Sequence, residues 1–551
     1  MRRRVVLSCL CILVGYSIFG IFASSLRFNF DFPIEVYWLS FVLVSIPLLC
    51  EVVFWNSNPK LRLVYLMSFS LMIHLQYAAV DNSLFLSSRD AIADYELTDK
   101  MITNSRWSPG VQLTIAPEYQ FYPITNFLYA STSLLTGIPL LLVVKYLFII
   151  KALVVTPLAE KLFRSFFDHR VAYLATILFL ASPGAILFPH KEAFAMVFFF
   201  LGIYAITEVV KTRQHLFIGL ISLVTLIMTH HFSTYVFLGL LASMFLAGHF
   251  LKRANIIRVS NQFFMLYLIA FIAWIGFIAS TIFVFHQKLL FNVLFAALYP
   301  GQLTFSELTP LYAPYERSIL WLGYGITIVS GGLGFLSYVR NGKKRSSSFL
   351  VIALFLLPVL VVASIFRFSP LRLNVLISHR AYEFGYIFVG AVSAFFFVRI
   401  FQSRKKLVLN VILVCAIAVM IIVGPMAGAM HPRAFVRVSE VISFRAMSLN
   451  VWMSESVAGS EYTVGDKLVF NILSGYGNSS VVIDPEFFAN QDLNLPEPPT
   501  VGSKSSYVVT YVYMTDFYGP NARKFEASPY FHNLYTNDML NVYKIVNHTS
   551  S

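Results

Sequence analysis

An acidic segment near residue 90 groups the side chains most suited to catalysis. Asp90, Asp94 and Glu96 follow one another closely in the sequence. If the segment is helical, Asp90 and Asp94 lie one turn apart on the same face. Two adjacent carboxylates repel each other, so such a pair needs a metal ion, a basic partner or a raised pKa. Such a pair suits a general base beside a metal ligand, and an ordinary solvated helix explains the same spacing, so both interpretations stay open.

Two further polar segments contain histidine. Pro189-His190-Lys191-Glu192 and Thr229-His230-His231 each interrupt apolar sequence. The first either ends two helices at a turn or contributes to a site. Adjacent histidines point to different sides of a helix, so we expect only one of His230 and His231 to face a site.

Basic residues late in the apolar part are candidates for binding a phosphate. Arginine forms forked hydrogen bonds with phosphate oxygens, although anchoring to lipid headgroups explains the same residues equally well. The phosphate candidates are Arg372 and Arg380. The same segment contains His379 and Glu383, and an earlier polar group contains Tyr312, Glu316 and Arg317, all of them further candidates for a site.

The composition predicts an integral membrane protein. Hydrophobic residues make up 58% of the 551 residues and charged residues only 12%, and the mean hydropathy is +0.71. Soluble domains carry roughly 25% charged residues. The net charge of +14 is therefore assigned to loops at the membrane surface, and no nucleic-acid partner is expected.

Apolar runs predict a polytopic α-helical protein with about thirteen spans. A span needs roughly 20 residues, and the segment 121–137 is interpreted as a half-buried helix rather than a span. The N-terminal run resembles a signal peptide but is taken as a retained first span. The predicted spans are 5–25, 36–56, 63–80, 140–160, 171–189, 193–210, 215–229, 232–250, 262–285, 318–338, 349–366, 381–401 and 407–427.

The distribution of Lys and Arg predicts the orientation. With the N-terminus inside, every inner loop is basic, as the positive-inside rule requires. The segment 81–122 and the tail from about 430 are then external.

The tail predicts a separate small α/β domain. A helix is expected at 467–474, and strand-like runs lie at 480–484, 507–513 and 541–546. The predicted domains are 1–430, a transmembrane domain with the external loop, and 431–551, an extracytoplasmic domain.

This layout resembles the GT-C class of membrane glycosyltransferases, in particular archaeal and bacterial members related in layout to oligosaccharyltransferases and protein mannosyltransferases. Asp90 with Asp94-Tyr95 resembles the acidic motif of their first external loop, and Lys191-Glu192 a basic-acidic pair that begins a span. Arg380-Ala-Tyr-Glu383 and Gly475-Tyr-Gly-Asn478 are similar to later motifs. The tail lacks a WWDYG-type motif, which argues against transfer to asparagine.

The resemblance implies transfer of a sugar from a polyprenyl-phosphate carrier to an acceptor hydroxyl at the outer face of the plasma membrane. Asp90 would be the base, assisted by Asp94 or Glu96. Lys191, Arg372 and Arg380 would stabilise the leaving phosphate. A divalent cation, Mg²⁺ or Mn²⁺, would bind Asp90 and Asp94, although the class also contains metal-free enzymes. The partners would be membrane lipids, the lipid-linked donor and a glycan, lipid or protein acceptor.

Three other functions remain open: a flippase or transporter for lipid-linked glycans, an O-antigen-type polymerase or ligase, and a non-catalytic scaffold. An enzyme should gather Asp90, Asp94, Lys191 and Arg380 around one cavity. A transporter should bury charges midway along its spans.

Overall fold

The computed structural model describes most of the apolar part of the chain and the strands of the tail. The described residues are 2–27, 33–54, 58–80, 89–109, 113, 117–182, 190–208, 213–250, 261–280, 282, 314–340, 349, 351–352, 355, 374–403, 407–427, 462–465, 481–483, 505–511, 531–537 and 540–545.

The first eight helices contain the predicted early spans and the acidic segment. They are α1 (Arg2–Arg27), α2 (Ile34–Val53), α3 (Pro59–Val80), α4 (Arg89–Thr103), α5 (Ile124–Thr136), α6 (Leu140–Tyr146), α7 (Ile150–Phe166) and α8 (His169–Leu180).

Seven more helices follow within the described residues. They are α9 (Lys191–Glu208), α10 (Arg213–Ile227), α11 (His231–Phe250), α12 (Asn261–Ala273), α13 (Pro314–Arg340), α14 (Asn374–Ser403) and α15 (Leu407–Ala427). A π-helical turn, Trp274–Ile278, continues α12.

The helices confirm a polytopic helical membrane protein. Among the described residues, 7 segments are long and apolar enough to cross a bilayer. They are Arg4–Ser24, Ile34–Val53, Leu140–Phe166, His231–Phe250, Pro314–Arg340, Glu383–Gln402 and Val408–Met426. The count of thirteen stays a prediction, and most of the expected span at 349–366 lies outside the described residues.

The long helix α14 packs against both α8 and α13. A methyl group added at Gly334 of α13 would overlap the carbonyl oxygen of Val392 in α14. Nearby, the hydroxyl oxygens of Ser330 and Ser393 lie 3.0 Å apart. The two helices therefore approach closely enough that only a residue without a side chain fits at position 334.

The tail contains a five-stranded sheet of β1 (Tyr462–Gly465), β2 (Val481–Ile483), β3 (Ser505–Tyr511), β4 (Phe531–Asn537) and β5 (Leu540–Ile545). Their order is β2-β1-β3-β5-β4. β1 is parallel to β2 and β3, whereas β5 is antiparallel to β3 and β4. The three predicted strand-like runs coincide with β2, β3 and β5, while the predicted helix at 467–474 lies outside the described residues.

The chain divides into two compact units. The first contains Met1–Val80, Phe121–Thr125 and Tyr146–Pro432, and the second contains Asp81–Gln120, Asn126–Lys145 and Arg433–Ser551. The acidic helix α4 therefore belongs to the second unit and the histidine segments to the first.

Candidate functional site

Asp94 is buried within the second unit. It lies in α4, as predicted, and is 0% exposed. The side-chain amide of Asn126 donates to the Asp94 carbonyl oxygen at 2.9 Å and to its carboxylate at 3.3 Å. The same amide reaches the Thr98 hydroxyl at 3.0 Å. These contacts attach α5 to α4, so Asp94 has an evident structural part in the loop.

Tyr129 lies beside this network. Burial, and then the negative charge of Asp94, raise the pKa of the Tyr129 hydroxyl well above its usual value. The phenol therefore stays protonated and adds no negative charge next to the Asp94 carboxylate.

The other two acids of the segment differ from Asp94. Glu96 forms an ion pair with Lys100, one turn along α4, at 2.7 Å. Asp90 is in the first turn of α4, one turn before Asp94. The side chain of Asp90 lies outside what the structure describes.

Three residues of the two histidine segments come together within the first unit. His190, Glu192 and His230 each place one possible ligand atom within 4.8 Å of the others, and all three are buried. His190 directly precedes α9 and His230 directly precedes α11, so the amino-terminal ends of these helices lie side by side. The His190 and His230 ring centroids are 5.5 Å apart.

Hydrogen bonds at the two helix ends set the chemistry of each imidazole. The Glu192 amide donates to Nδ1 of His190 at 3.0 Å. That nitrogen carries no proton in this bond, so a neutral His190 holds its proton on Nε2. Nδ1 of His230 lies 2.9 Å from Oγ of Ser233. If His230 donates this bond, its Nε2 is a metal-ligating nitrogen of the usual kind.

The three possible ligands, two imidazoles and one carboxylate, are those of a divalent transition-metal or zinc site. Two imidazoles and a carboxylate suit Zn²⁺ or Mn²⁺ better than Mg²⁺, which prefers oxygen ligands. Glu192 fits such an ion as it stands, and His230 fits when its Nδ1 donates to the Ser233 hydroxyl rather than accepting from the Ser233 amide, which lies 3.4 Å from that nitrogen. His190 fits only if the bond between the Glu192 amide and its Nδ1 is broken.

Lys191 and His231, the neighbours of these residues, both contact Tyr122. The Lys191 ammonium donates to the Tyr122 carbonyl oxygen at 2.7 Å, and the Tyr122 and His231 rings are 5.4 Å apart. Lys191 is 1% exposed. Tyr122 thus contacts both α9 and α11. The two adjacent histidines have different surroundings, since His231 faces Tyr122 whereas His230 lies beside His190 and Glu192.

The remaining candidates are described only in part. Glu316 is buried in the first turn of α13, where its carboxylate accepts a hydrogen bond of 2.9 Å from the Trp38 indole, and Arg317 is exposed. His379 and Arg380 are in α14, but their side chains, like all of Arg372 and Tyr312, lie outside the described residues.

One buried group was missed by the sequence analysis. Lys151 of α7 forms an ion pair with Glu383 of α14, and the side chains are only 4% and 1% exposed. His74 of α3 lines a small cavity together with this pair. Lys151 is one of two lysines in the apolar run 140–160, the other being Lys145, and a basic residue in such a run was the signal that could have pointed to the pair.

Comparisons with known proteins identify the fold. No protein-family model and no curated protein sequence matches the chain. The apo oligosaccharyltransferase of Archaeoglobus fulgidus matches with a TM-score of 0.52 and 13% identity, over 89% of this chain and 75% of that one. AglB from the same organism, in complex with an inhibitory peptide and a dolichol-phosphate, matches at 0.51 and 12%, over 85% and 72%.

A bacterial structure is also similar, more weakly. ArnT from Cupriavidus metallidurans, bound to undecaprenyl phosphate, has a TM-score of 0.47 and 11% identity, over 89% of this chain and 99% of that one. The first two show that the chain has the fold of the archaeal oligosaccharyltransferase, and they confirm the resemblance expected from sequence at the level of the fold.

Proposed function

We propose that this chain, which shares its fold with an archaeal oligosaccharyltransferase, is a membrane glycosyltransferase. It transfers a sugar from a polyprenyl-phosphate carrier to an acceptor hydroxyl on the extracytoplasmic face of the plasma membrane. Fold alone does not define a reaction. The observation that carries the proposal is the buried cluster of His190, Glu192 and His230 at the ends of two adjacent helices.

Bond making and breaking in this reaction need a base and a stabilised leaving group. The acceptor oxygen attacks the anomeric carbon, its proton passes to a carboxylate, and the phosphate leaves with the electron pair of the broken bond. Asp90 is the base in this proposal, since Asp94 is attached to Asn126 and Glu96 to Lys100. Arg372, Arg380 and Lys191 stabilise the phosphate oxygens.

A bound divalent ion would neutralise charge on the leaving phosphate. Asp90 and Asp94 were the first candidates for holding it. The second candidates are Glu192 and His230, joined by His190 once the hydrogen bond from the Glu192 amide to its Nδ1 is broken. We favour them because the Asp94 carboxylate already accepts a hydrogen bond from Asn126.

The domain arrangement of the proposal follows the sequence prediction. Residues 1–430 form the transmembrane catalytic domain with about thirteen spans, and 431–551 form an extracytoplasmic α/β domain. The parallel pairs β1–β2 and β1–β3 support the α/β assignment, because parallel strands need long crossover connections that are usually helical.

A lipid-linked glycan flippase is the second candidate, and one observation favours it. The ion pair of Lys151 and Glu383 is a buried charge pair in segments that could cross the bilayer. Proteins that move substrates across membranes commonly place paired charges there.

Sugar transfer in native membranes tests the two candidates. The unmodified protein and Asp90→Asn are compared at matched expression with a panel of polyprenyl-phosphate sugars, with Asp99→Asn on the exposed side of α4 as the control. Loss of transfer in Asp90→Asn alone supports the proposal. Transfer by both variants moves the base to Asp94 or Glu96. Lipid movement across the bilayer without transfer by the unmodified protein supports the flippase.

A further inference from the structure

We infer that the ion pair of Lys151 and Glu383 is a positioning contact for the phosphate-binding part of α14. The pair links two helices whose contributing residues are 232 positions apart. His379 and Arg380 lie within about one turn before Glu383 in the same helix. The inference rests on the proposed function, in which Arg380 contacts the leaving phosphate.

Packing between helices does not require charged residues at positions 151 and 383. Replacing a buried ion pair with apolar residues of similar size is often neutral or stabilising, whereas losing one partner is costly. A charge pair between two apolar helices therefore indicates a need for a defined relative position rather than for adhesion.

His74 completes the environment of the pair. Its Nδ1 donates to the Ser70 carbonyl oxygen at 2.8 Å. Because a carbonyl oxygen only accepts, a neutral His74 has an unprotonated Nε2. The cavity shared by His74, Lys151 and Glu383 thus brings an imidazole acceptor of α3 beside the amine and the carboxyl group of the pair.

The second half of α14 is held by close contacts with α13, so the pair acts on the first half. Gly334 of α13 meets the Val392 carbonyl, and Ser330 meets Ser393. Glu383 lies more than two turns before these contacts. A slip of one residue along a helix shifts a side chain by roughly 1.5 Å and turns it by about 100°. The pair with Lys151 excludes such a slip where His379 and Arg380 lie.

Two paired replacements test the inference. The apolar variant K151M/E383L removes the link without leaving a lone buried charge, and the reversed variant K151E/E383K keeps a link. The control is E160Q/R164M, which removes an ion pair between two residues of α7. Transfer kinetics with varied donor concentration and the thermal midpoint are measured for each.

We expect the apolar variant to keep its thermal midpoint but to lose about 10- to 100-fold in kcat/KM for the donor, because small misplacements have effects of that size. The reversed variant should recover most of this loss, and the control should match the unmodified protein. Unchanged donor kinetics in the apolar variant would overturn the inference. If the apolar variant does not fold, the reversed variant decides. A folded reversed variant that loses about 10- to 100-fold in kcat/KM for the donor would overturn the inference.

Failure of the proposed function is recognised separately. If the unmodified protein transfers no sugar, the proposed function fails. Binding of undecaprenyl phosphate then tests whether the ion pair positions the phosphate-binding part of α14. The lipid phosphate should raise the thermal midpoint of the unmodified, control and reversed proteins but not of the apolar variant. An equal rise in all four would overturn the inference.

Discussion

Asp94 illustrates how burial changes the meaning of an acidic side chain. Its spacing from Asp90 suggested a pair of carboxylates serving one reaction. In the structure it is fully buried, and its carboxylate and carbonyl oxygens accept hydrogen bonds from Asn126. A buried carboxylate is tolerated where hydrogen bonds replace water. Removing the Asn126 amide would therefore leave the burial of Asp94 less compensated.

Replacing Asn126 with leucine should destabilise the protein by about 1–3 kcal/mol, the cost of removing a donor from a buried polar group. Leucine has a similar size, so lost packing contributes little. Unfolding in detergent, followed by circular dichroism against temperature or denaturant, measures the effect. Asp99→Asn, at an exposed position of the same helix, serves as control, and equal stability of the two variants would contradict the role given to Asn126.

The histidine cluster makes a separate prediction about metal content. Purified protein dialysed against Zn²⁺ or Mn²⁺ should retain about one ion per chain, and His230→Asn and Glu192→Gln should each lose it, since they remove a ligand from a three-ligand set. Elemental analysis measures this.

The neighbouring His231 provides a matched control for that experiment. Its ring faces Tyr122, so His231→Asn should retain the ion. Retention by His230→Asn with loss by His231→Asn would show that the two histidines were assigned the wrong way round. Retention by all variants would place the ion elsewhere, with Asp90 and Asp94 the next candidates.

At the scale of elements, the close approach of α13 and α14 depends on one glycine. A methyl group at Gly334 would overlap the Val392 carbonyl, whereas one at Gly332, in the same helix, would meet nothing within 4 Å. Gly334→Ala should therefore lower stability by roughly 1–3 kcal/mol through forced separation of the helices.

Gly332→Ala should be neutral or stabilising by up to about 1 kcal/mol, because alanine favours the helix more than glycine does. Thermal unfolding of both variants in the same detergent decides. A loss of similar size in both would mean that helix flexibility matters rather than the contact with α14.

Apolar runs predicted most helices because a bilayer requires length and hydropathy that are readable locally. Strands β2, β3 and β5 were predicted for a similar reason, since β-branched and aromatic residues dominate them. β4, which contains His532 and Asn533, was not assigned as a strand. Its polar residues lack the apolar alternation that marks a strand, and its pairing with β5 supplies the reason it forms.

The candidate site was predicted less well because it depends on contacts between distant residues. The polar segments at 190 and 230 were recognised, but their convergence arises from the packing of α9 and α11, and no local pattern reports it. Asn126 and Lys151 were overlooked since their partners lie 32 and 232 positions away. Single sequences carry no signal of such pairs beyond an isolated polar residue in an apolar run.

At the scale of the whole molecule, the basic loops define an orientation that the folded chain must share with its membrane. The segment after α13 contains Lys343, Lys344 and Arg345, and the segment before α15 contains Arg404, Lys405 and Lys406. The positive-inside rule assigns both to the cytoplasm. By this rule we expect one span, α15, to carry the tail to the outer face, where we propose that the reaction takes place.

Single cysteines report this orientation directly. The four cysteines of the chain are free, so a background with Cys9, Cys11, Cys50 and Cys415 replaced by alanine removes all native thiols without breaking a disulfide. In intact cells a membrane-impermeant maleimide should label Asn547→Cys in the tail but not Ser347→Cys in the basic segment. Permeabilised cells should show both labelled. Labelling of position 347 alone in intact cells would place the tail and the acidic loop inside, and would remove the extracytoplasmic face from the proposed reaction.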